Sequence, residues 1–138
     1  MNLHPYLLSA LCLLLLASCG KDASKEVESE EVGASCLAIE NDNFIINSEE
    51  DLLRVLEDPQ CPDLNVDFST QTLLGQYAEG SGCNISFDRA VYVNEDDNAY
   101  RFVVTVKQRG LCEMLGFSMN WVTVPKIDEA ATVQFAVE

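Results

Sequence analysis

Residues 84–108 carry the clearest pattern in the chain. Ile85, Phe87, Val91 and Val93 alternate with Ser86, Asp88, Ala90 and Tyr92; further on, Tyr100, Phe102, Val104 and Val106 alternate with Arg101, Thr105 and Lys107. Alternation at period two puts one set of side chains on each face of a strand. Between the two runs stand Asn94, Glu95, Asp96, Asp97 and Asn98, all turn-forming or solvated residues, so the segment predicts a β-hairpin. Shorter runs predict strands at Phe44-Ile45-Ile46, over 72–77, over 119–124 and over 132–137, where Val133, Phe135 and Val137 share a face. Gly80-Ser81-Gly82 reads as a flexible break after the strand at 72–77.

Between the first two of these strands the period changes. Ser48 with Asp51 has the form of a capping box, and Leu52, Leu53, Val55 and Leu56 follow at helical spacing until Pro59 forbids continuation. A strand, a helix and then antiparallel strands predict an α+β domain, a twisted meander of about five strands with one N-terminal helix packed on it.

The N-terminal stretch has a different character. Residues 7–16 form an apolar run broken only by Ser9, and 1–18 contain no Asp, Glu, Lys or Arg. A membrane-spanning helix needs about 20 apolar residues, so the run fits the core of a signal peptide. It ends in Leu16-Ala17-Ser18-Cys19, which resembles the lipobox of bacterial lipoproteins. That resemblance implies cleavage after residue 18 and a lipid on Cys19, although residues 1–6 lack the Lys or Arg usual in such signals. Residues 20–35 are polar and acidic, with Val27 and Val32 as their only bulky apolar side chains, and are expected to form a disordered, self-repelling tether. Lys21-Asp22 partly resembles the acidic export signal of Bacteroidetes surface lipoproteins. The folded domain is then expected over 36–138.

Charge narrows the partners. Eight Lys and Arg stand against twenty-three Asp and Glu, a formal net charge of -15. Nucleic-acid affinity comes largely from neutralising phosphates with basic side chains, so no nucleic-acid partner is expected. Anionic lipid surfaces repel the chain for the same reason. Membrane contact should therefore run only through the lipid anchor. The expected location is a bacterial cell envelope, at the outer membrane and on its periplasmic or surface-exposed face, with an envelope protein as partner.

Six cysteines are present. Cys12 leaves with the signal and Cys19 takes the lipid, so Cys36, Cys61, Cys83 and Cys112 remain in the domain. Export to an oxidising compartment favours two disulfides among them. Folding the hairpin about Asp96 brings Cys83 opposite Arg109 and Gly110, and Gly110 lets the chain curl until Cys112 reaches it. This favours Cys83–Cys112 and leaves Cys36–Cys61 to clasp the strand and helix between them. Zinc spacing is absent, since no two of these cysteines lie two to four residues apart.

The sole histidine is His4, inside the signal. Ser–His and Cys–His catalysis and His-ligated metals are therefore excluded from the mature chain. A Ser–Lys pair would need Lys107 or Lys126, and no S-x-x-K motif follows the signal. Paired carboxylates remain, but so small a domain has little room for a sugar-cleaving cleft. No catalytic residue, cofactor or metal is expected, and residues 94–98 suit a solvated turn better than a Ca²⁺ loop. Asn84-Ile85-Ser86 matches a glycosylation sequon, yet Ile85 is better explained as core. Trp121 is expected in the core of a two-sided sheet, the alternative being an exposed contact shared with Tyr77 or Tyr92.

Val66-Asp67-Phe68-Ser69, Leu73-Leu74-Gly75, the glycine-rich break at 80–82, the hairpin and Trp121-Val122-Thr123-Val124-Pro125-Lys126 together resemble small Bacteroidetes lipoproteins of unassigned function. More distantly, 44–137 is similar to the domain named after a protease-complex stability subunit. That domain's Gly-Gly-Tyr element is replaced here by Gly80-Ser81-Gly82-Cys83, so neither a protease partner nor any functional residue carries over. The reading is an anchored, non-enzymatic protein-binding or assembly module; the alternative is a glycan- or ion-binding accessory lipoprotein.

Overall fold

The computed structural model describes residues 24–33, 35–57, 61 and 64–138. The expected signal peptide and Cys19 lie outside them. Among the described residues, eight strands run in chain order: β1 (Lys25–Val27), β2 (Glu30–Glu31), β3 (Asn43–Ile46), β4 (Gln71–Ser81), β5 (Asn84–Asn94), β6 (Ala99–Arg109), β7 (Leu115–Pro125) and β8 (Thr132–Val137). A short helix, α1 (Glu49–Leu52), follows β3. The strands form two four-stranded sheets, ordered β1-β5-β6-β8 and β2-β7-β4-β3.

This corrects the α+β expectation. The chain is mostly β, and its strands do not make a single meander. After the β5–β6 hairpin the chain crosses to β7 in the other sheet, then returns as β8, parallel to β6. The alternation of β5, β6 and β8 is legible in the sequence, but alternation does not say which sheet a strand joins.

The two sheets pack face to face. Leu74 and Ala78 of β4, Val122 and Val124 of β7, Val91 of β5, and Phe102 and Val104 of β6 fill the space between them. The opposite faces of the sheets differ. On the β4–β7 sheet, Leu73 and Trp121 are covered by Leu37, Ile46, Leu52 and Val55, from a cap that precedes β4. At that end the sheet is thus buried on both sides, as the apolar content of Leu73-Leu74 and Trp121-Val122 requires. The outer face of the β5–β6 sheet is half-exposed.

The helix is far shorter than its apolar spacing suggests. Ser48 caps it as expected, accepting from the Asp51 N–H at 3.1 Å and donating to its carboxylate at 2.8 Å. The N–H groups of Arg54 and Val55 then donate to carbonyls only three residues back, at Asp51 and Leu52. This tightening turns the chain, and Leu56 forms a bridge with Leu37 where a further helical turn would have stood. The Cys36–Cys61 disulfide spans the cap. Lys126 pins it to the sheet, donating to the carbonyls of Asn47 at 2.7 Å and Phe68 at 2.8 Å.

Two further expectations are corrected. Lys25–Val27 and Glu30–Glu31, read as disordered tether, add strands to β5 and β7 respectively, so the chain passes from one sheet edge to the other. Arg89 of β5, with its side chain only 19% exposed, bonds Glu31 at 2.9 Å across that closing edge. Residues 80–81 are strand, not break: Gly80 pairs with Gly116, and together they leave room for Ile85, whose methyl would lie 2.8 Å from a Cβ at 116.

Candidate functional site

β4, β5, β6 and β7 all reach one end of the sandwich, where the β4–β5 and β6–β7 crossings between sheets occur. The Cys83–Cys112 disulfide joins those crossings, as the hairpin register implied. Gly110 makes the bridge sterically feasible, because at its φ of 86° a Cβ would sit 2.5 Å from the Cys83 sulfur. Around the bridge, the Gly82 N–H donates to the Met114 carbonyl at 2.9 Å and the Cys83 N–H to the Arg109 carbonyl at 2.8 Å. The Ser81 N–H donates to the Gln108 side chain at 3.0 Å. The tip is therefore held by a covalent link and by hydrogen bonds between its two crossings.

On this well-held tip stand four of the eight exposed large apolar side chains among the described residues. Leu111 is fully exposed, Leu115 is 83% exposed, Met114 62% and Phe117 61%. Leu115, Phe117, Met119 and Trp121 share one face of β7, and Tyr77 lies on the same face of β4 opposite Met119. The cap covers the Trp121 end of this stripe and stops before Phe117. Tyr77 and Phe117 stack with centroids 6.3 Å apart and planes 22° from parallel. The Tyr77 hydroxyl donates to Glu79 at 3.4 Å. Partial burial, followed by the negative charge of Glu79, raises the Tyr77 phenol above its usual range. The result is a continuous apolar surface with one carboxylate at its side.

A second concavity, of about 520 Å³, lies on the outer face of the β5–β6 sheet, lined by Ala90, Tyr92, Val103, Arg101, Gln134 and Glu138 among others. Its charged groups have partners: Arg101 bonds Glu138 at 2.7 Å, and the Asn94 amide donates to Asp97 at 2.7 Å. Large unpartnered apolar groups mark a contact surface more strongly than a shallow cleft whose charges are matched. The tip is thus the better candidate.

Other positions singled out in the sequence fall as follows. Trp121 is 3% exposed and stacks on Phe44 at 5.5 Å, so it belongs to the core. Tyr92 lies on the other sheet, so the three aromatic residues do not share a surface. Residues 95–98 form the hairpin turn, with Asn98 at φ 48°. Lys107 bonds Asp88, and Lys126 is held by the cap carbonyls. The residues of the tip were missed: the strand was read from 119, although Leu115, Phe117, Met119 and Trp121 already alternate with Gly116, Ser118 and Asn120.

No family model, curated protein or solved structure matches the chain.

Proposed function

We propose that this chain is an exported lipoprotein, anchored through Cys19, that works by binding a protein partner at its disulfide-closed tip. The observation that carries the reading is the exposure of Leu111, Met114, Leu115 and Phe117 together on a cross-linked pair of crossings. Such a patch costs solubility unless something covers it, and a covalently held tip loses little conformational entropy when it is covered. The lipobox and the two disulfides support export to an oxidising compartment. The absence of any histidine beyond His4 favours binding over catalysis. A glycan reading keeps only the Tyr77–Phe117 pair once Trp121 is in the core, and the aliphatic groups beside that pair offer sugar hydroxyls no hydrogen bonds.

In-cell photo-crosslinking tests this reading. A photoreactive residue at Leu115 should capture a specific envelope protein, and one at Leu53, exposed on the cap, should not. Equal capture from both positions, or none from Leu115, would count against the tip.

A further inference from the structure

The β4–β7 sheet is open on one side near the tip. β2 covers only Val122 and Thr123 of β7, and beyond it the Val32 N–H donates to the Trp121 carbonyl at 3.0 Å. Backbone groups alternate sides along a strand, so the N–H and C=O of Leu115, Phe117 and Met119 point to the same edge as that carbonyl. Among the described residues, no neighbouring strand pairs with them there, and the one bond to these groups is local, from the Ser118 hydroxyl to the Met119 carbonyl at 3.2 Å. The side chains of these three residues form the exposed stripe with Tyr77. A ligand at this edge can thus satisfy a row of backbone groups and cover apolar side chains in one contact.

We propose that the partner adds an extended strand along β7 at residues 115–119 and lays apolar side chains over Tyr77 and Phe117. This deepens the tip-binding reading and rests on it. Strand addition is the mode that uses an open backbone edge, and its alternate side chains supply specificity. Glu79, directly opposite Phe117 in the ladder, and Glu113 beside the loop favour a strand with basic residues among the apolar ones. A second copy of the chain is disfavoured because each copy carries -15.

The anchoring bilayer is disfavoured by length. β1 begins at Lys25, opposite Val93, at the far end of β5 from Cys83. Five residues, Gly20 to Ser24, separate Cys19 from β1, so the six steps from Cys19 to Lys25 reach at most about 22 Å, whereas the strand length from Asn84 to Asn94 is roughly 34 Å. The domain cannot stand on its tip against the membrane that holds it. The tip is left for a partner in trans.

The probe is a decapeptide of alternating valine and lysine, with a proline-interrupted version as control, titrated into labelled oxidised chain 20–138. Amide exchange at Leu115, Phe117 and Met119 should slow by about tenfold or more, while Gly116 and Ser118, already bonded to β4, stay unchanged. The control peptide should protect none of them, and L115D should weaken the effect. Unchanged exchange at the three edge amides, or protection that appears without peptide as concentration rises, would overturn strand addition. If crosslinking from Leu115 still captures a partner while the peptide leaves those amides unchanged, the tip remains the binding site and only the strand mode fails.

Discussion

Gly75 lies directly across the β4–β7 ladder from Trp121, and a Cβ at that position would sit 2.2 Å from the indole ring. The tryptophan therefore lies flat over a strand with no side chain beneath it, and Phe44 stacks on its other side. Gly75→Ala should force the ring outward and loosen the cap, costing about 1–3 kcal/mol as overpacked cores do. Urea denaturation measures the loss, and Trp121 emission should shift to the red. An unchanged midpoint and spectrum would mean that the ring has another place to go.

The two disulfides should separate in their effects. Cys36 and Cys61 are 25 residues apart, Cys83 and Cys112 29 apart, so the chain-entropy model gives each about 3.5 kcal/mol. Their local consequences differ. Replacing Cys36 and Cys61 with Ser should expose Trp121, because that bridge spans the cap that covers it. Replacing Cys83 and Cys112 should leave Trp121 emission unchanged and raise amide exchange at 110–115. Fluorescence and exchange together check the division.

The strands were largely legible in the sequence, for a physical reason. Residues of β5 and β6 have one buried and one solvated face, so hydrophobicity alternates and the turn at 94–98 stands out. The sheets were not legible, since Leu73-Leu74 and Trp121-Val122 are apolar on consecutive positions and hide their second packing layer. The helix was overread because Val55 and Leu56 are apolar for contact with the cap and with Leu37, not to extend α1. The tether was overread because β1 and β2 are edge strands, where Lys25, Glu26, Glu30 and Glu31 stay exposed while their backbones pair. The tip escaped notice because exposure of Leu115 and Phe117 depends on where the cap stops, which no local pattern encodes.

Asp67 governs the turn that leads into β4. Its carboxylate accepts from the Ser69 hydroxyl at 2.5 Å, the Ser69 N–H at 2.9 Å and the Thr70 hydroxyl at 3.2 Å. These bonds, the Ser69 hydroxyl foremost, hold its pKa below the ordinary 3.8. A lowered folded-state pKa stabilises the fold at pH above the unfolded value, and that contribution disappears as pH falls through the folded one. The turn should therefore weaken only in the acid range below 3.8. Ser69→Ala should move the Asp67 titration, followed by carboxyl-carbon NMR, back toward the ordinary value. A titration unmoved by the substitution would assign the shift to another cause.

Substitutions at the tip should uncouple binding from stability. Leu115 and Phe117 bury little in the free protein, so Leu115→Asp should leave the unfolding free energy from urea titration within about 0.5 kcal/mol of the parent, as exposed positions do. Phe117→Ser should cost somewhat more, roughly 0.5–1.5 kcal/mol, through loss of its stacking with Tyr77. Neither change touches the core between the sheets, so the fold and both disulfides should persist in both variants. Capture of the partner should fall by about tenfold or more in each, because buried aromatic and aliphatic anchors dominate interface energies. Leu53→Asp is the matched control, removing another exposed leucine, on the cap, and it should leave capture intact. If Leu53→Asp abolishes capture and Leu115→Asp does not, the contact surface is the cap and the tip is only its exposed neighbour.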